Sequence, residues 1–137
     1  MRAKFTKENT IKVLDAYYKE TEGADSKVDI NTAIEYVGLY EDECAIVHIK
    51  LSHTINLVGE EIKVERELDK NEVFQVFNSI LGNEGFEVNE LQYDAGISSE
   101  SYICDQGSST PYFNGLIVKV TQKAIQKKIG GKQNEKS

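Results

Sequence analysis

Alternation of apolar and polar side chains between residues 27 and 68 constrains the fold more than any other feature of this chain. From Val47 to Leu57, most odd-numbered positions are apolar and the even-numbered positions from His48 to Asn56 are polar. A period of two is typical of a strand with one buried face. The same alternation recurs over 28–36 and 62–68, with turn signals between the three stretches. The pattern therefore predicts three strands joined as an antiparallel meander.

Two other stretches have apolar residues at helical spacing. The first spans Asn9–Glu22, with Thr6 placed to cap its start and Gly23 placed to end it. The second follows Asp69, whose spacing to Glu72 is that of a capping box, with aspartate in the usual serine or threonine position. Both helices have one apolar stripe, which predicts packing against a sheet. The apolar residues are Ile11, Leu14, Tyr17 and Tyr18 in the first, and Val73, Phe74, Val76, Phe77, Ile80 and Leu81 in the second.

Two more strands complete the predicted fold. Phe86 opens a fourth strand, in which a bulge near Asn89-Glu90 is expected because the apolar residues change phase there. Leu116, Val118 and Val120 form a fifth strand. The prediction is an α+β fold with a five-stranded antiparallel sheet in the order α-β-β-β-α-β-β. Two helices pack on one face of this sheet, and a long loop joins the last two strands.

Length and charge predict one folded domain, residues 1–122, followed by a basic, disordered tail at 123–137. The tail holds five lysines and one glutamate, a net charge of +4, so the chain's −7 leaves −11 on residues 1–122. An acidic body repels phosphate groups, which argues against nucleic acid as a partner. It is compatible with a basic protein surface as a partner.

Composition indicates a cytoplasmic protein. No apolar run approaches the roughly 20 residues of a membrane helix, and the first ten residues lack the apolar region of a secretory signal. Cys44 and Cys104 lack CxxC spacing, which favours reduced thiols over a disulfide scaffold. The chain is rich in Lys, Ile, Asn and Glu and has one proline, as AT-rich coding would give. This composition indicates a low-GC bacterium or one of its mobile elements as the source.

The stretch Tyr93–Gly115 is the predicted binding site. It contains the only proline, Pro111, together with three glycines, five serines and four aromatic residues. A long connection of this composition is usually functional, and tyrosines provide large contact areas at low entropic cost. The alternative is that the stretch folds back and its rings cap the core. The predicted contact residues for a protein partner or small ligand are Tyr93, Tyr102, Tyr112, Phe113 and Asn114.

The leading hypothesis is therefore a small, non-catalytic binding or accessory protein, with a homodimer allowed and no cofactor or metal expected. No nucleotide motif is present, and no serine stands in a G-x-S-x-G or S-x-x-K motif, so a Ser–His pair would have to be assembled by the fold. Two alternatives stay open. One is a metal-dependent hydrolase using Asp94, Glu100, Asp105 and either His48 or His53. The other is an anionic-ligand-binding protein using Lys50, Lys63 or Arg66.

Overall fold

The computed structural model describes residues 1–40, 42–100 and 108–123. These residues form two helices and six strands in the order β-α-β-β-β-α-β-β. The elements are β1 (Arg2–Thr6), α1 (Lys7–Glu22), β2 (Lys27–Val37), β3 (Asp42–Leu57), β4 (Glu60–Leu68), α2 (Lys70–Asn83), β5 (Phe86–Glu100) and β6 (Ser108–Gln122).

The prediction of a single five-stranded sheet is wrong, although the α+β class is correct. The strands form two separate three-stranded antiparallel sheets, β1-β6-β5 and β2-β3-β4. The predicted fifth strand, now β6, is kept out of the meander by an N-terminal strand that the sequence pattern did not reveal. β1 pairs with β6 from Arg2 opposite Lys119 to Thr6 opposite Gly115, and β5 pairs with the other edge of β6. Both edges of β6 are therefore occupied, and it cannot join the meander through backbone hydrogen bonds.

The local predictions made from alternation and capping are confirmed. β2, β3 and β4 form the antiparallel meander without interruption of their registers. The Thr6 hydroxyl accepts a hydrogen bond from the amide of Asn9 at 3.0 Å, and α1 starts two residues before the predicted Asn9. The Asp69 carboxylate accepts one from the amide of Glu72 at 2.8 Å. The predicted bulge in the fourth strand lies between Val88 and Glu90.

The predicted long loop is, for the most part, a β-hairpin. β5 runs through Tyr93 to Glu100 and β6 begins at Ser108, while residues 101–107 lie outside the described part of the chain. A second register shift, between Asp94 and Ala95, lets the pairing continue beyond the point where apolar alternation stops. Small residues obscured these strands, because serine and glycine normally signal turns. The predicted disordered tail also falls outside the described residues, except for its first residue.

The core lies between the two helices and the inner faces of both sheets. The β5–β6 hairpin also contacts β2 and β3, where the Thr32 hydroxyl lies 3.5 Å from the Pro111 carbonyl oxygen. The rings of Phe5 and Phe77 meet edge to face at 5.0 Å between β1 and α2. Buried core residues are Leu14, Tyr18, Val28, Ile30, Ile49, Leu51, Leu68, Val73, Val76, Phe77, Val88, Leu91, Phe113, Leu116, Val118 and Val120.

Candidate functional site

The structure separates the predicted contact residues of the β5–β6 hairpin into two groups. Phe113 is buried in the core, and its ring meets that of the half-buried Tyr93 edge to face at 5.9 Å. Tyr112 and Asn114 are exposed. The Tyr112 ring covers Gly96, where an added Cβ would lie 2.7 Å from the tyrosine hydroxyl. Tyr102 lies outside the described residues, so the structure brings together only Tyr93 and Phe113.

The position of Tyr93 against the core changes its acidity. Burial, with a smaller contribution from the nearby Asp69 carboxylate, raises the pKa of the Tyr93 phenol to about 12. The Lys70 ammonium lies 6.0 Å from the centre of the ring. Below this pKa the phenol is neutral, so Tyr93 contributes packing to the hairpin and no charge.

We expect the stability of the protein to fall between about pH 10 and pH 12, and Tyr93→Phe to reduce that fall. The unfolded phenol ionises near its ordinary value, whereas the folded phenol keeps its proton until about pH 12. Unfolding thus releases a proton in this window, so stability is fully present below it and is lost as the pH rises. Urea unfolding at several pH values measures the slope of the free energy of unfolding against pH. Burial also raises the pKa of Tyr18, so we expect the Tyr93→Phe variant to keep part of this pH dependence. An unchanged slope would show that Tyr93 ionises equally in both states.

The fold assembles a Ser–His–Glu arrangement that could not be found from the sequence. Ser26 lies in the connection after α1, and its hydroxyl is 3.3 Å from Nδ1 of His53 on β3. The other ring nitrogen, Nε2, is 3.1 Å from the carboxylate of Glu22 at the end of α1. Nucleophilic catalysis requires a hydroxyl that reaches substrate, but Ser26 is only 1% exposed. These hydrogen bonds therefore tie the end of α1 to β3 and do not present a nucleophile.

Arg66 continues this polar network toward α2. Its guanidinium pairs with Glu22 at 3.1 Å and with Glu72 at 2.6 Å, and it lies 5.9 Å from the centre of the Tyr18 ring. The hydrogen bond that the guanidinium donates to the Glu72 carboxylate is the main reason that the pKa of Arg66 is raised. An open cleft of about 360 Å³ lies beside these groups, between α1 and α2. Because two carboxylates already neutralise the guanidinium, this cleft is a poor site for an anion.

The other candidate ligand groups are dispersed. Lys50 and Lys63 lie on the outer face of the meander sheet, whereas Arg66 pairs with Leu51 on the inner face, so the three cations do not converge. His48 and His53 point to opposite faces and bind different carboxylates, Glu67 and Glu22. Among residues 1–40, 42–100 and 108–123, no three His, Cys, Asp or Glu side chains are grouped to hold a metal ion.

The end of the β3–β4 ribbon carries an apolar surface that sequence reasoning assigned to the core. Ile55 pairs with Ile62 and His53 pairs with Val64, on the same face as the buried Leu51. α1 ends at Glu22, which contacts His53, so no described element covers the ribbon beyond that point. We call Ile55, Leu57, Ile62 and Val64 the ribbon face; their side chains are 40%, 51%, 40% and 47% exposed.

Charged groups border the ribbon face. On one side lie Glu22, His53 and Arg66, and the Asp25 carboxylate accepts a hydrogen bond from the Thr54 amide at 2.9 Å. On this face β4 contributes Glu60 as well as Arg66, whereas its other three glutamates pair with residues of the outer face. An apolar centre with a charged rim is the usual anatomy of a protein interface, and the excess of carboxylates gives this rim a negative sign.

A second exposed apolar group lies at the turn between β2 and β3. Its members, Tyr36, Val37, Leu39 and Tyr40, are all exposed, and Leu39 and Tyr40 are almost fully so. Glu41 of this turn lies outside the described residues. The ribbon face is the better candidate site, because its four side chains share one face of a regular two-stranded ladder. Alternation in the sequence could have located the ribbon face, but it does not show whether a face is covered.

Neither helix in the described part of the chain has the length and apolar character needed to cross a bilayer. Comparison of the chain with protein-family models, curated proteins and solved structures finds no match.

Proposed function

We propose that this protein is a non-catalytic binding protein that engages a protein partner through the ribbon face. The observation that supports this proposal is the uncovered apolar surface of Ile55, Leu57, Ile62 and Val64, which continues the core face of the sheet past the end of α1. We further propose that the protein has an accessory role and acts in the cytoplasm. Its two cysteines, which lack CxxC spacing, support the cytoplasmic location.

The chemistry of the surface defines the partner that would fit it. Contiguous apolar patches are uncommon on proteins that act alone and mark interaction sites, because burying them removes apolar area from water at about 25 cal/mol per Å². The surrounding carboxylates of Glu22, Asp25 and Glu60 outnumber the Arg66 guanidinium on this face and would attract a basic rim. The expected partner surface thus combines apolar side chains with lysine or arginine. Tyr112 and Asn114 stay a predicted second contact area.

A comparison of two surface variants tests this proposal. The wild type should capture its partner proteins from the native cell. The Leu57→Ser/Ile62→Ser variant should capture at least tenfold less of them, because these changes make the ribbon face polar. Leu39→Ser/Tyr40→Ser removes two apolar groups that are even more exposed, at the β2–β3 turn, and should retain the captured partners. All four side chains are exposed, so both variants should keep the wild-type circular dichroism and melting temperature. Retention of the same proteins by the ribbon variant would contradict the proposal, as would equal loss from both variants.

A further inference from the structure

The edge of β4 is the least protected strand edge in the described structure. β4 has β3 as its single neighbour, and its nine residues pair without a bulge or a proline. All of its residues from Glu60 to Glu67 are exposed. Of the other edge strands, β1 has five residues, β5 has two register shifts, and β2 contacts the β5–β6 hairpin. An edge of this kind presents unpaired N–H and C=O groups to which an extended segment can add.

The two faces of β4 have different chemistry. On the inner face, Ile62 and Val64 belong to the ribbon face. On the outer face, Glu61, Lys63 and Glu65 alternate with them, so this face presents more negative than positive charge. Opposite charges on directly facing residues of neighbouring strands stabilise the pairing. A strand adding to β4 would therefore be favoured by basic residues on its outer face and apolar residues on its inner face.

We propose that the partner contributes an extended segment of alternating basic and apolar residues, which pairs with β4 as a fourth strand of the meander sheet. This inference rests on the proposed function, because it names the class of partner for the ribbon face. The basic side chains would face Glu61 and Glu65, and the apolar side chains would extend the surface formed by Ile62 and Val64. Backbone hydrogen bonds along the edge then provide affinity, and the alternation provides specificity.

A second copy of the chain fits this edge less well. If two β4 strands pair in antiparallel fashion about Val64, Glu61 lies opposite Glu67 of the copy, which places like charges together. If they pair about Lys63 or about Glu65, that central charged residue lies opposite the same residue of the copy. Pairing about Ile62 avoids like charges. It leaves only a short paired segment, however, because Ile62 lies close to the start of β4 at the β3–β4 turn. Two acidic bodies would also repel each other.

Peptides of defined pattern test the proposal. The probe is the end-blocked, fluorophore-labelled peptide KVKVKVKV, with KKVVVVKK as a control of equal composition and charge. Fluorescence anisotropy with the full chain should give at least tenfold tighter binding of the alternating peptide. Hydrogen exchange should show new protection of β4 amides. Glu61→Lys/Glu65→Lys should weaken binding about tenfold, whereas Glu84→Lys/Glu87→Lys, an equal charge change at two exposed sites outside the meander sheet, should not.

Equal binding of both peptides, or binding without protection of β4, would overturn strand addition. If the peptides fail while Leu57→Ser/Ile62→Ser still loses its cellular partner, strand addition is wrong and the proposed function stands. If instead the peptides bind but that variant keeps its partner, the proposed function is wrong. A dimer of the wild type in sedimentation velocity that dissociates in Lys63→Glu would identify a second copy as the occupant and would also overturn the proposal.

Discussion

Gly115→Ala is expected to destabilise the protein by at least about 3 kcal/mol, because strain and loss of strand pairing combine at this position. Gly115 has a φ of +131°, a backbone conformation that residues with a Cβ rarely adopt. An added Cβ would overlap the carbonyl oxygen of Phe5 and lie 2.8 Å from the carbonyl carbons of Phe5 and Thr6. These are backbone atoms of the paired strand, so relief requires β1 to separate from β6. Urea unfolding followed by circular dichroism measures the loss.

Gly59→Ala is the matched control for this prediction. Gly59 also has a positive φ, +80°, but an added Cβ there would meet nothing within 4 Å. Its replacement should cost only the conformational penalty, about 1 kcal/mol. An equal loss in the two variants would show that the close approach of β1 and β6 does not matter and that backbone conformation alone decides the cost.

Phe77→Ala is expected to destabilise the protein by about 3–5 kcal/mol, the range for truncating a buried aromatic side chain. Phe77 is 0% exposed, and its ring meets that of Phe5 edge to face at 5.0 Å. The change would leave a cavity between α2 and β1, where close packing prevents complete collapse. Phe74→Ala, on the same helix but only partly buried, should cost clearly less. A loss below that of Phe74→Ala would contradict this account of the core.

The pair of rings is tested separately by a double-mutant cycle of Phe5→Leu and Phe77→Leu, measured by urea unfolding. Edge-to-face aromatic pairs contribute about 0.5–1.5 kcal/mol beyond the area that they bury, so the two changes should be non-additive by this amount. Additive losses would mean that each ring is stabilised by its other neighbours and that β1 is held mainly by its pairing with β6.

Sequence patterns predicted the local structure well because local causes produce it. The meander follows from alternation, α1 and α2 begin at the capping residues Thr6 and Asp69, and the bulge beyond Val88 follows from a change of phase. The division into two sheets has a non-local cause. β1 has only five residues, and nothing in its pattern shows that its partner lies more than 100 residues away.

The candidate site was harder to predict than the fold. Ile55 and Ile62 alternate with polar residues in the same way as the buried Ile49 and Leu51, so the pattern cannot distinguish a covered face from an uncovered one. That distinction depends on where α1 ends relative to β3, which is a tertiary property. Within the aromatic stretch, the sequence left open whether each ring is a contact residue or a core residue. Phe113 belongs to the core because a register shift in the hairpin keeps it on the inner face.

The pairing of β1 with β6 has a consequence for synthesis on the ribosome. The amino group of Met1 donates a hydrogen bond to the carbonyl oxygen of Val120, 119 residues later, at 3.3 Å. At about 5–20 residues per second, β1 waits roughly 5–20 s for its partner strand to be made, whereas the β2–β4 meander has all of its strands by residue 68. The locally paired meander can therefore form first, and the core is completed only when β6 leaves the exit tunnel.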